Sequence, residues 1–275
     1  TRDFKGTTNL TFTTYKDRWK ERTPDWKPGV YERVDDPIRP IYTRLADHIL
    51  QIGEQVPDAQ PLLRPGELVI KDINGYRRDA NKQPIVDENG RFVLTGEPDG
   101  LIDDADNVLL GSQDPSWLAG ITNTFKYKDF DLNIQLNGMF GRRMQDPTEM
   151  AYGLGGGDLA RYGYNALRKI KDRWTWDNPS TTQPTSFNGW GNNYTSGDWY
   201  YQRAWFIRLT NISFGWTLPK AWIARTKVLS RVRLSLSANN LFCITPYKGL
   251  DPETDYYAAS YPNARTYSMG INVTF

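Results

Sequence analysis

Apolar and polar residues alternate with a period of two along segments of about ten residues, and few architectures accept such a pattern. From Phe130 the even positions read Phe130, Leu132, Ile134, Leu136, Gly138 and Phe140, with Asp131, Asn133, Gln135, Asn137 and Met139 between them. Just before, Trp117, Ala119, Ile121, Phe125 and Tyr127 alternate with Thr122, Thr124 and Lys126, and Lys128-Asp129 joins the two runs as a tight hairpin. Leu10, Phe12 and Thr14 follow the rule, as do Val232, Leu234, Leu236 and Ala238. The last such run is Tyr267, Met269, Ile271, Val273 and Phe275. Between Arg203 and Leu218 the phase slips: Trp205, Ile207 and Leu209 lie in one phase, Ile212, Phe214 and Trp216 in the other. Either a bulge near Asn211 or an end projecting past an apolar layer accounts for the slip.

Each run therefore has one apolar and one polar face, and composition narrows what these faces meet. Lys and Arg number 34 against 32 Asp and Glu, a net charge of +2 that gives no basic field for nucleic acid. Aromatic residues make up 13% of the chain, yet mean hydropathy is −0.65. No run reaches the ~18 apolar residues of a membrane-spanning helix. The single cysteine, Cys243, excludes an internal disulfide and a Cys-rich zinc site. The single histidine, His48, excludes a two-His metal site, and no serine sits in a G-x-S-x-G frame. The glycines of 150–157 are not followed by Lys-Ser/Thr, so they form no phosphate loop. Enzymatic function is not expected.

The links between runs alternate in length: residues 16–116, then the two-residue turn, then 142–199, then a short link near 219–222, then 244–265. Outer-membrane barrels have this layout, with long extracellular loops and short periplasmic turns. Strands of ~9–11 residues cross a bilayer at a tilt. Polar lumen residues, wet loops and aromatic girdles also reconcile low hydropathy with many rings. The run Ser268, Gly270, Val273, Phe275 resembles the terminal-strand signal by which such barrels reach their assembly machinery. A soluble β-sandwich alternates for the same reason and is the competing architecture. Six strands are fewer than the eight of the smallest single-chain barrels and leave two edges that lipid does not tolerate. All 275 residues are thus expected to be one all-β segment of a larger barrel, a C-terminal fragment.

Several motifs occur in an order that resembles SusC/RagA-type TonB-dependent transporters of Bacteroidetes outer membranes. Gly66-Glu67-Leu68-Val69-Ile70-Lys71-Asp72-Ile73-Asn74-Gly75 is similar to the family's G-D-x-x-x-x-D-x-N-G. Asp99-Gly100-Leu101-Ile102-Asp103-Asp104-Ala105-Asp106 is similar to the D-G-x-I-D-x-x-D that normally follows directly. Arg173-Trp174, Phe206-Ile207-Arg208-Leu209, Asn239-Asn240-Leu241-Phe242 and Tyr247-Lys248-Gly249-Leu250-Asp251-Pro252-Glu253 continue the series. The resemblance implies about six antiparallel strands of a 22-stranded transmembrane β-barrel, with plug and remaining strands elsewhere in the transporter. It also implies an outer-membrane location in a Gram-negative bacterium, uptake of oligosaccharides or peptides with a SusD-like surface lipoprotein, and energisation by TonB through the missing N-terminal part. The strands of this segment would then meet the lipid bilayer, with residues 16–116 and 142–199 as long extracellular loops.

Two regions carry candidate sites. Joining Asp72-Ile73-Asn74-Gly75 to Asp99–Asp106 places Asp72, Asn74, Asp99, Asp103 and Asp106 at positions 1, 3, 5, 9 and 12 of a calcium-loop-like string, with Gly100 at 6. Residues 76–98 split that string as a hairpin-like insertion, and Asp106 stands where a bidentate Glu is usual. A bound calcium and a hydrogen-bonded turn are both open; no cofactor is required. Trp174, Trp176, Trp190, Tyr194 and Trp199, with Tyr200 and Tyr201, crowd a Gly/Asn-rich loop. They are candidates for contact with substrate or lipoprotein, or for packing of the loop on itself. Arg208, Arg231 and Arg233 are expected to face water or carboxylates in the lumen. The alternative functions are a secreted lectin-like sandwich that stacks sugars on Trp and Tyr, and a glycoside hydrolase, for which no specific carboxylate pair stands out.

Overall fold

The computed structural model describes residues 3–275 apart from 22, 27–32, 34, 89, 154–162, 164, 186–196 and 255–259. Its centre is one antiparallel sheet in the order β1 (Phe4–Thr14), β6 (Trp117–Tyr127), β7 (Phe130–Phe140), β10 (Phe206–Thr217), β11 (Arg231–Asn239), β13 (Thr266–Thr274). The six alternating runs are these six strands. β12 (Cys243–Ile244) extends the line of β11 along β10 after a break at Asn240, whose φ is 54°. β1 and β13 each pair on one side only, so the sheet is open.

Register aligns the apolar faces across the sheet. Leu10 faces Ile121, Ile121 faces Leu136, and Leu136 faces Leu209. Further along, Ile134, Ile212 and Ala238 are aligned, then Leu132, Phe214, Leu236 and Met269. The phase slip in β10 is a bulge: pairing with β7 jumps from Leu209 to Asn211, leaving Thr210 as the extra residue. That one insertion lets Ile207 and Leu209 share a face with Ile212, Phe214 and Trp216. Asn123, the polar gap in β6, lies on the apolar face and accepts a hydrogen bond from Thr8 Oγ1 at 2.7 Å, so the two polar groups satisfy each other.

No second sheet covers the apolar face among the described residues. Leu10, Phe12, Leu236, Met269 and Ile271 are each more than half exposed. A sandwich would bury such a face against a partner sheet, so the lectin-like architecture lacks its second layer.

The buried core lies instead in the long links. Residues between β1 and β6 contain β2 (Pro40–Thr43), β3 (Ala46–Ile49), β4 (Leu68–Ile70) and β5 (Val108–Ser112), paired β2 with β5 and β3 with β4. The link between β7 and β10 holds β8 (Arg143–Gln145), α1 (Pro147–Tyr152) and β9 (Tyr201–Arg203). β8 pairs with β9 and so prolongs the β7–β10 ladder beyond the sheet. Pro147 stands at the start of α1, and Asp146 caps it by accepting from the Glu149 amide. All of these elements lie at one end of the sheet. The opposite end has the Lys128-Asp129 turn and the short connection holding α2 (Lys220–Ile223).

Candidate functional site

The apolar face has the dimensions and texture of a lipid-facing wall. An 11-residue strand such as β6 is about 35 Å long, and a tilt near 45° reduces its height to about 25 Å, the depth of a barrel's apolar band. Rings gather at both margins. At the loop end Phe12, Trp117, Phe140 and Trp205 form a row with successive centroid separations of 5.7, 3.7 and 6.0 Å. At the turn end Phe130 stacks on Phe214 and Trp216 at 5.8 and 5.9 Å, and Trp216 meets Trp222 edge-on at 5.8 Å. Aliphatic residues fill the rows between, which is the arrangement of two girdles around a hydrocarbon layer.

The other face is knitted by polar pairs. Asn211 Nδ2 donates to Asn239 Oδ1 at 2.8 Å, and Asn239 Nδ2 donates to Thr266 Oγ1 at 2.9 Å, linking three strands. Asp131 on β7 and Arg233 on β11 pair at 2.6 Å across the intervening β10. They pass over Gly215, where any Cβ would collide with both side chains. Arg208 is buried, paired with Asp251 at 2.5 Å, and has Glu253 Oε2 3.2 Å from its Nε, near enough to pair without hydrogen-bond alignment. Asp251 also accepts the amides of Glu253 and Asn263, each at 2.9 Å. Arg208 and Arg233 thus meet carboxylates as expected, while Arg231 is exposed. What the sequence reading missed is that Arg208 and Asp251, in two separate motifs, are one structural unit. The available signal was a lone cation within an otherwise apolar stretch of strand and an acid in a Gly-Leu-Asp-Pro turn.

At the loop end the two long links share one core. Trp174 is 2% exposed and packs with Ile49, Leu68 and Ile70, and Trp199 lies against the same cluster. The Trp174 indole N–H donates to Gln51 Oε1 at 3.3 Å. Gly66, at φ 90°, lies so close to the ring that a Cβ would enter it, so both conformation and space demand glycine. Trp176 meets Trp174 edge-on at 5.4 Å and is 68% exposed, the one described ring of the candidate contact set that is freely presented. Trp190 and Tyr194 lie outside the described residues.

The split acidic string closes up. Thr95 N–H donates to the Gly75 carbonyl at 2.9 Å, and Gly75 abuts Asp99 so tightly that a Cβ there would meet the Asp99 side chain. Residues 76–94 fold out as a small unit in which 76–78, 84–86 and 92–94 each bond the other two. Asp72 accepts the amides of Asp99 and Gly100 at 3.2 and 2.7 Å. Asp106, fully buried, accepts those of Ile73, Asn74 and Asp103 at 2.8, 3.2 and 2.9 Å. Asn74 Oδ1 takes Gly96 N–H, and Asp103 Oδ1 takes Ala105 N–H. As folded, these oxygens serve backbone amides, and among the described residues no group of three or more His, Cys, Asp or Glu is arranged to hold a metal. Burial, then the charges of Asp103, Asp104 and Asp106, pushes the Tyr76 hydroxyl up to about 12.

His48 sits between two acids: Nδ1 is 2.9 Å from Asp47 and Nε2 is 2.6 Å from Glu54. Burial alone would lower its pKa, but the bonds to Asp47 and Glu54 outweigh burial and raise it.

An antiparallel sheet with a girdled apolar face, a hydrogen-bonded polar face and all its large links at one end is a segment of an outer-membrane β-barrel. Relatives narrow the class. The chain is 29% identical over 254 residues to TonB-dependent receptor P3 of Formosa agariphila, covering 83% of this chain and 24% of that protein. It is 26% identical over 213 residues to TonB-dependent receptor SusC of Bacteroides thetaiotaomicron, covering 70% and 19%. No protein-family model matches. Its fold matches the RagAB peptide transporter with TM-score 0.70 and 19% identity, over 100% of this chain and 28% of that one. The RagAB peptide importer in its closed-closed state matches with TM-score 0.67 and 21% identity. The resemblance to SusC/RagA-type TonB-dependent receptors therefore holds in sequence and in fold. The chain spans about a quarter or less of the length of these curated relatives.

Proposed function

We propose that this chain is a barrel segment of a SusC/RagA-type nutrient importer in the outer membrane of a Gram-negative bacterium. The observation that carries the reading is the sheet itself: one face apolar, girdled and uncovered, the other polar and internally bonded, with an unpaired strand at each margin. Lipid suits the first face and water the second. The margins call for neighbouring strands of the same transporter. The loop core then lies outside the cell, where a SusD-like lipoprotein would close over it, and TonB would act through a plug encoded elsewhere in the parent chain. Oligosaccharides or peptides are the proposed cargo, and the likeness in fold to the RagAB peptide importer supports the second.

The test is the denatured mass of the parent polypeptide in detergent extracts of outer membranes, with identification of what copurifies. A chain several times larger than 31.6 kDa, accompanied by a surface lipoprotein, is expected. A 31.6 kDa species that dissolves without detergent would sink the proposal.

A further inference from the structure

The connection between β10 and β11 carries cations without acids together with exposed apolar side chains, whereas the Lys128-Asp129 turn beside it is balanced in charge. Residues 218–230 contain Lys220, Arg225 and Lys227 and no acid. Among the described residues none of these three cations is paired with a carboxylate, and all three are exposed. Trp222 is 60% and Val228 65% exposed, although Ile223 beside them is buried against the sheet. The Trp222 ring continues the row formed by Phe130 and Trp216, reaching past the end of the strands. The fold therefore sets a ring and an aliphatic side chain at the margin of the lipid-facing wall, with three exposed cations in the same connection. Trp and Tyr are at home at the headgroup level of a bilayer, and lysine and arginine there are attracted to anionic lipid.

We infer that the 218–230 connection is a docking surface for anionic phospholipid headgroups of the membrane leaflet at the turn end of the sheet. Trp222 and Val228 insert at the boundary between headgroup and acyl chain, and Lys220, Arg225 and Lys227 gather phosphate groups around them. Two features favour lipid over a protein partner. The surface is continuous with the lipid-facing wall through the Trp216–Trp222 contact, and the charges of residues 218–230 are all positive. The inference rests on the membrane reading above and adds a lipid preference to it.

The test uses the full-length parent transporter, otherwise free of cysteine, with an environment-sensitive fluorophore at Val228→Cys or, separately, at Met269→Cys on the lipid-facing side of β13. Each is placed in phosphatidylcholine vesicles in which about one-fifth of the lipid is brominated phosphatidylglycerol or, in parallel, brominated phosphatidylcholine. At position 228, quenching by the brominated anionic lipid is expected to exceed that by the brominated neutral lipid at least about twofold. Lys220→Gln, Arg225→Gln and Lys227→Gln together are expected to abolish the difference without changing quenching at position 269. Equal quenching by the two lipids at position 228 would overturn the headgroup preference. A label at 228 that neither lipid quenches, with 269 quenched, would overturn the docking surface and leave the barrel standing. Absence of quenching at both positions would refute the membrane reading itself.

Discussion

Replacing Trp174 by alanine separates two roles for the loop aromatics, core packing and ligand contact. A tryptophan buries 150–250 Å², roughly, which at ~25 cal/mol per Å² corresponds to about 4–6 kcal/mol. Measured truncations of large core aromatics fall at about 3–5 kcal/mol, so about 4 kcal/mol is the working figure. The loss should stay local, because Trp174 packs with Ile49, Leu68, Ile70 and Gly66, all within the loop core. At ~1.4 kcal/mol per tenfold, the opening equilibrium of this loop core should rise by about 10²–10³. Hydrogen exchange on the full-length receptor in detergent reads it directly. The reporters are Leu50 N–H, bonded to the Glu67 carbonyl at 2.9 Å, and Gly66 N–H, bonded to the Leu50 carbonyl at 2.7 Å. Both should exchange faster by that factor while peptides from β6 and β7 stay protected. Trp174→Phe should show a smaller effect. Unchanged exchange at residues 46–71 together with weakened ligand binding would refute the packing argument and return Trp174 to the contact residues.

Two further outcomes follow from the ion pairs. Arg208→Met leaves the carboxylate of Asp251 buried without its cation, a loss of about 3–5 kcal/mol, and should expose residues 247–265 to protease. Adding Asp251→Asn, which removes the stranded charge and keeps an acceptor for the amides of Glu253 and Asn263, should restore part of the resistance, and a resistant single variant would show that the pair does not hold this link. The His48 clamp should depend on pH. Its folded pKa is raised, so its contribution is complete below about pH 6.5 and is lost as pH rises through the folded value. The carboxyls of Asp47, held down chiefly by His48, and Glu54, held down chiefly by the Gln51 amide, lose their contribution as pH falls through their folded values, below about 4. Exchange in residues 47–54, corrected for intrinsic rate, should be slower near pH 6 than near pH 8.5, and His48→Gln should flatten the difference.

The long strands were legible because each reports on its own neighbours: a period of two needs no knowledge of what pairs with what. The bulge in β10 was visible only as a slip, since sequence spacing cannot separate an extra residue from a strand running past the apolar layer; the step from Leu209 to Asn211 opposite β7 decides it. Asn123 broke the pattern because its hydrogen-bonding partner, Thr8, lies 115 positions away. The loop strands escaped notice for a similar reason. β3 and β4 have four and three residues, too short for a period to register, and are specified by burial against Trp174, about a hundred residues downstream. Candidate contacts were read from clusters of rings, a signal that cannot tell an exposed Trp176 from a buried Trp174.

The closure at Gly75 and Thr95 also bears on how such a chain can change. The two halves of the acidic string meet at the neck of residues 76–94, closed by the Gly75–Thr95 and Asn74–Gly96 bonds, so these residues leave and re-enter the host at one point. The entropic cost of a longer loop grows only with the logarithm of its length once its ends are fixed together. This point in the chain can therefore gain, exchange or shed an ornament while the turn beneath it keeps its geometry, and a foreign epitope grafted between Gly75 and Thr95 should be carried there without disturbing the host.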